Sequence, residues 1–282
     1  MIIARTIQEV RDNVKAWRRE GLTVGLCPTM GALHEGHASL VDASHAQCDK
    51  TVASIFVNPT QFAAGEDLDK YPRTFERDCE ILEEHGCDMV FYPSVAEVYP
   101  EGFGIQVSIT TDIVNQLCGA SRPGHFAGVC TVVSKLFNIV APDKAFFGQK
   151  DAQQLAIIRQ MVRDLNFDLE IVGCPTVREA DGLAKSSRNA YLSAEERGAA
   201  VILHQSMDAA QEMIDGGARS VAEIETMMKY MIQTEPMAVI DYVKIVDGTT
   251  LLPIDTVKDG DLVALAVYFG KTRLIDNFTI VI

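Results

Sequence analysis

Short apolar runs alternate with longer amphipathic ones along the first 176 residues, and this alternation constrains the fold more than any single motif does. Strands are expected at 23–27, 52–57, 89–92, 144–147 and 170–174, and helices at 6–20, 34–48, 71–85, 128–140 and 151–165. Strands that are apolar throughout, with helices between them, form a parallel sheet covered on both faces. After residue 177 the pattern changes. A polar segment at 178–189 leads to helices expected at 194–215 and 220–233, and strands expected at 239–246, 262–269 and 275–282 close the chain. The first helix, with Val10, Val14 and Trp17, and the group Met227, Met228 and Met231 read as packing residues.

The expected fold class is therefore α/β, a Rossmann-like doubly wound parallel sheet with a smaller C-terminal α+β lid domain. A length of 282 residues suits two domains, divided as 1–176 for ligand binding and 177–282 for the lid. Closure is expected to hinge near 177–184. No apolar run approaches the roughly 18 residues that span a bilayer, and the N-terminus lacks the basic start and apolar core of a signal peptide. A cytoplasmic protein with no membrane partner is expected. The net charge of -14 argues against a nucleic-acid partner, because a phosphate backbone needs a basic face. A small anion requires only local cations. Seven cysteines form no CxxC pair, and most of them read as buried thiols in a reducing compartment. Cys27 adjoins the glycine turn, which raises a nucleophilic role, but no motif pairs it with a base.

Ligands of such sheets bind beyond the carboxyl ends of the strands, where the polar motifs of this chain fall. Pro28-Thr29-Met30-Gly31-Ala32-Leu33-His34-Glu35-Gly36-His37 follows the first strand, Asn58-Pro59-Thr60-Gln61 another, and Gly148-Gln149-Lys150-Asp151 a third. If residues 34 onward are helical, His34 and His37 lie one turn apart on one face, at a helix N-terminus suited to phosphate. Their expected task is to donate hydrogen bonds as charge builds on phosphate oxygens. Lys150 places a point charge, and Asp151 has a helix-capping reading. Ser186, Ser187 and Arg188 supply hydroxyls and a forked guanidinium. Arg122-Pro123-Gly124-His125-Phe126 reads as a mobile loop with a cation and an imidazole. Asn58, Gln61 and Gln154 are amides suited to hydroxyl and carboxylate groups, with capping as the alternative.

Together these segments resemble the pantothenate synthetase (pantoate–β-alanine ligase) family, within the HxGH nucleotidyltransferases. The matching pieces are PTMGALHEGH at 28–37, SIFVNPTQF at 54–62, RPGHFAGV at 122–129, FFGQKDAQQL at 146–155, DGLAKSSRNAYL at 181–192 and RLIDN at 273–277. The resemblance implies a cytoplasmic ligase of pantothenate and coenzyme A biosynthesis. ATP would adenylate (R)-pantoate with loss of diphosphate, and β-alanine would then displace AMP from the acyl adenylate. It further implies Mg2+ carried with the nucleotide phosphates, no protein metal site and a homodimer.

By position, the resemblance assigns the ATP site to Met30, Gly31, Ala32, Leu33, His34, Glu35, Gly36, His37, Gly148, Gln149, Lys150, Asp151, Val177, Lys185, Ser186, Ser187 and Arg188. His37, as proton donor, acts with His34, Lys150 and Arg188 in catalysis. Gln61, Gln154, Asn58, Arg122 and His125 fall to the other substrates. Gln149, Ala152 and Lys185 stand where the family varies. Two other readings stay open here: a nucleotidyltransferase that leaves the adenylyl group on its product, and a non-catalytic nucleotide binder.

Overall fold

The computed structural model describes residues 1–63 and 65–282. In chain order the elements begin with β1 (Ile2–Ala4), α1 (Ile7–Arg19), β2 (Val24–Thr29), α2 (Glu35–His45), β3 (Lys50–Ile55), α3 (Phe75–Glu84), β4 (Met89–Phe91) and α4 (Val95–Val98). Next come α5 (Leu117–Ser121), α6 (His125–Val140), β5 (Lys144–Gly148), α7 (Ala152–Asp164) and β6 (Glu170–Cys174). The chain closes with α8 (Ala194–Ala199), α9 (Ile202–Asp215), α10 (Val221–Gln233), β7 (Ala238–Val246), β8 (Leu262–Phe269) and β9 (Thr272–Thr279).

These elements form two compact units. The first comprises 1–110, 122–148 and 157–175, and the second 111–121, 149–156 and 176–282. In the first, six strands pair in the order β1-β4-β3-β2-β5-β6, every pair parallel. The apolar runs explain this, since β2, β3 and β4 are buried almost end to end and bury apolar side chains toward both faces. Successive strands leave β2 in opposite directions, β3 on one side and β5 on the other. The carboxyl end of β2 is thus the switch point at which such sheets bind ligands. Helix α1 starts with a capping box, in which Thr6 Oγ1 accepts from the Glu9 N–H and the Thr6 N–H donates to Glu9 Oε2. Its buried stripe is Val10, Val14 and Trp17.

In the second unit β7, β8 and β9 form an antiparallel sheet. Ile224, Met228 and Ile232 of α10 and Leu203, Met207 and Ile214 of α9 share a core with Val243, Val263, Leu265, Val267 and Phe269.

Several sequence expectations need correction. Strand β1 went unread because three residues carry no measurable period, and Ile2 and Ile3 are exposed. The helix expected at 194–215 is two helices, α8 and α9. Gly198 lies in the last turn of α8, and glycine weakens a helix there. The last strand starts and ends three residues earlier than expected. Helix α6 starts at His125, so this imidazole stands on a helix rather than in a loop.

Candidate active site

The turn that leaves β2 is built around a carboxylate absent from the sequence reading. Asp78 of α3 is 1% exposed. Its two oxygens accept the N–H groups of Ala32 at 3.0 Å and Leu33 at 2.9 Å, and Thr74 Oγ1 donates to it at 3.0 Å. Those amides leave the ladder where Gly31 and Ala32 take positive φ, +85° and +51°. An alanine there gives up roughly 1–2 kcal/mol, which the charge-assisted bonds to Asp78 offset.

His34 is not in the helix, as its spacing suggested, but caps it in an extended conformation (φ -142°). A capping side chain must accept, and imidazole can do so only through an unprotonated nitrogen. Nδ1 of His34 accepts the Gly36 N–H at 3.1 Å, and Nδ1 of His37 accepts the His34 N–H at 3.3 Å. Each neutral ring therefore carries its proton on Nε2. The rings lie 4.1 Å apart between centroids, so two N–H donors sit side by side at the start of α2. The motif needs glycine at 36, because a Cβ there would stand 2.8 Å from the His34 ring. Glu35 is exposed beside them.

Beyond β3, Asn58 organises a tight turn rather than offering a vacant amide. Its Oδ1 accepts from Thr60 Oγ1 and the Tyr99 hydroxyl, and its Nδ2 donates to Gln61 Oε1 and Gly128 O. Gln61 is thereby oriented, with Nε2 given to the Met30 thioether at 3.2 Å. Sulfur is a weak acceptor, so a carboxylate or hydroxyl would displace it readily. Arg122 makes a two-pronged ion pair with Glu66, both contacts 2.7 Å, and its Nη1 lies 3.0 Å from His125 Nε2. His125 Nδ1 meets Gln61 O at 2.8 Å. Burial pushes the Glu66 carboxyl up, but Arg122 and the Ala63 N–H outweigh this and hold it below its usual range.

Gly148 ends β5 in the first unit, and the other assigned groups belong to the second. Lys150 sits in the short turn Gln149–Asp151 and has no ion-pair partner among the described residues. Gln153 is engaged with the backbone at Ile113, Gln116 and Gly119, whereas its neighbour Gln154 is only half-buried. Residues 177–185 form a hairpin closed by Lys185 N–H to Val177 O at 2.9 Å. Lys185 pairs with Glu179 at 3.3 Å. Ser186 starts the next turn and accepts the Arg188 N–H. Cys27 is fully buried and donates to Leu40 O. Burial pushes its thiol well up, and it serves packing. Among the described residues no group of three His, Cys, Asp or Glu could hold a metal ion.

A family model described as pantoate-beta-alanine ligase matches residues 2–279. The chain belongs to that family. The pantothenate synthetase of Clostridium acetobutylicum is 53% identical over 279 residues, covering 99% of each chain. That of Ruminiclostridium cellulolyticum is 54% identical over 276 residues, covering 98% of each. The pantothenate synthetase structure from Thermus thermophilus is 46% identical with a TM-score of 0.94, covering 99% of each chain. A pantoate-beta-alanine ligase structure from Francisella tularensis, described as complexed with beta-gamma ATP and beta-alanine, is 34% identical with a TM-score of 0.82, covering 99% of this chain and 97% of that one. As a pantoate–β-alanine ligase, the chain is an enzyme of pantothenate biosynthesis that joins pantoate to β-alanine.

Proposed function

We propose that this ligase activates (R)-pantoate as pantoyl adenylate. A pantoate carboxylate oxygen attacks the α-phosphorus of ATP, and the bond to diphosphate breaks. The β-alanine amine then attacks the acyl carbon, the carbon–oxygen bond to AMP breaks, and the amine loses a proton. Adenylation converts a poor leaving group into a good one without a covalent enzyme intermediate, so positioning and charge stabilisation carry the rate.

The observation that carries this reading is the imidazole pair, whose Nδ1 atoms are committed to backbone N–H groups. Both Nε2–H groups then serve as donors to α-phosphate oxygens as negative charge builds. In this reading Met30 to His37, Gly148 to Asp151, Val177 and Lys185 to Arg188 bind ATP, with Mg2+ carried on its phosphates. Lys150 and Arg188 neutralise phosphate charge. Gln61 and Gln154 bind pantoate, and Gln61 also lies near β-alanine. Asn58, Arg122 and His125 support that substrate region, in keeping with their hydrogen bonds to Gln61 or to one another.

The working form is a cytoplasmic homodimer, and the division at 176/177, with 177–282 as a lid, belongs to the same proposal. No helix among the described residues is long and apolar enough to cross a membrane. Scattering profiles with and without ATP and pantoate test the lid, and superimposable profiles would remove it.

The reaction is tested by following diphosphate, AMP and pantothenate separately from ATP, Mg2+ and D-pantoate, with and without β-alanine. AMP and pantothenate are expected together only with β-alanine present, and a single burst of diphosphate without it. A stable adenylylated product in the presence of β-alanine would overturn the reading in favour of a nucleotidyltransferase.

A further inference from the structure

We propose that Asn277 is a positioning residue for Lys150, fixing the backbone from which that cation reaches phosphate. The inference rests on the phosphate role of Lys150 proposed above and adds the residue that sets its geometry. Asn277 lies on β9, is 8% exposed, and donates from Nδ2 to Gln149 O at 3.1 Å and Lys150 O at 2.8 Å. The amide can stand only one way, because an oxygen in place of Nδ2 would face two carbonyl oxygens.

The two carbonyls belong to successive peptide planes, one on each side of the Lys150 Cα. Peptide units are rigid, so a chain has only φ and ψ at each Cα to adjust. Pinning both flanking planes fixes both angles at Lys150 at once, and with them the direction in which its side chain leaves the backbone. The long lysine stem keeps its rotamers but starts from a set origin. A three-residue turn does not provide such rigidity by itself.

Asp276 performs the matching task for the second phosphate segment. It is 2% exposed and takes Arg178 in a two-pronged pair at 2.6 and 3.1 Å. Arg178 Nη1 also donates to Gly182 O at 3.0 Å, holding the hairpin from which Lys185 to Arg188 emerge. The Asn277 N–H donates to Asp276 Oδ1 at 2.8 Å. Two neighbouring residues of one strand thus anchor the two segments of this unit assigned to phosphate, 149–151 and 185–188.

The test compares Asn277→Ala, Lys150→Ala and the double variant in two assays. One is diphosphate release from ATP and pantoate, and the other is pantothenate formation from supplied pantoyl adenylate and β-alanine. Asn277→Ala is expected to slow diphosphate release about 10- to 100-fold while changing the β-alanine step less than about twofold. The double variant is expected to be no slower than Lys150→Ala, as for residues acting through one another. Multiplying effects, or equal loss in both half-reactions, would overturn the proposal. If Lys150→Ala keeps full diphosphate release, the phosphate role of Lys150 falls and this inference with it. If Lys150→Ala is slow but Asn277→Ala is not, only the inference falls. Should the alanine variant not fold, Asn277→Asp has the same shape without N–H donors and carries the same expectations.

Discussion

At the level of single residues, the turn after β2 takes its shape from a few buried polar groups. Asp78 is a buried carboxylate whose value lies in accepting the Ala32 and Leu33 amides and the Thr74 hydroxyl. Asp78→Asn puts an N–H donor against one of those donors, so a loss of about 2–3 kcal/mol in denaturant unfolding is expected, with a larger loss of diphosphate release. Full retention of both would contradict the role given to Asp78. This residue was illegible in the sequence because its amide partners lie 45 and 46 positions away and acidic residues on helices are usually solvated. The histidines were legible by spacing, but not their tautomer, which only the bond from each Nδ1 to a backbone N–H reveals. With both rings as hydrogen-bond donors, His37→Gln should lower the adenylation rate about 100- to 1000-fold and leave the shape of its pH profile unchanged. Disappearance of a titration in that profile would instead support proton transfer from His37.

At the element scale, the alternation of short apolar runs with amphipathic stretches was enough to read the parallel sheet, because strands buried on both faces have little choice of composition. Boundaries were less legible where capping decided them. The α2 boundary moved by one residue because His34 caps rather than continues the helix, and α6 starts at His125, where Gly124 in the left-handed region precedes it. The junction between the turn after β3 and the start of α6 depends on the Glu66–Arg122 pair. Because the Glu66 carboxyl is held low when folded, it contributes stability above the unfolded carboxylate range. That contribution is lost as pH falls through about 4.3 toward the folded value. Urea unfolding should therefore show wild type exceeding Glu66→Gln by about 1–2 kcal/mol at pH 7, with the gap narrowing by pH 4. A constant gap would assign the difference to packing instead of charge.

At the scale of the whole molecule, a chain of net charge -14 takes anionic substrates, so recognition must come from local donors and cations. The imidazole pair and Gln61 belong to one unit, and Lys150, Gln154 and the Lys185 to Arg188 segment to the other. The residues proposed for the site were readable as candidates because they fall in contiguous motifs. The residues that aim them, Asp78, Asp276 and Asn277, were not, since each acts across large sequence separations. Attack of the pantoate carboxylate on the α-phosphorus, as proposed, is read out by transfer of isotope. With both carboxylate oxygens of pantoate labelled with 18O, one labelled oxygen should appear in each AMP and none in diphosphate, the second label remaining in the pantothenate amide carbonyl. Label in inorganic phosphate accompanied by ADP would mean an acyl phosphate intermediate and would contradict the account.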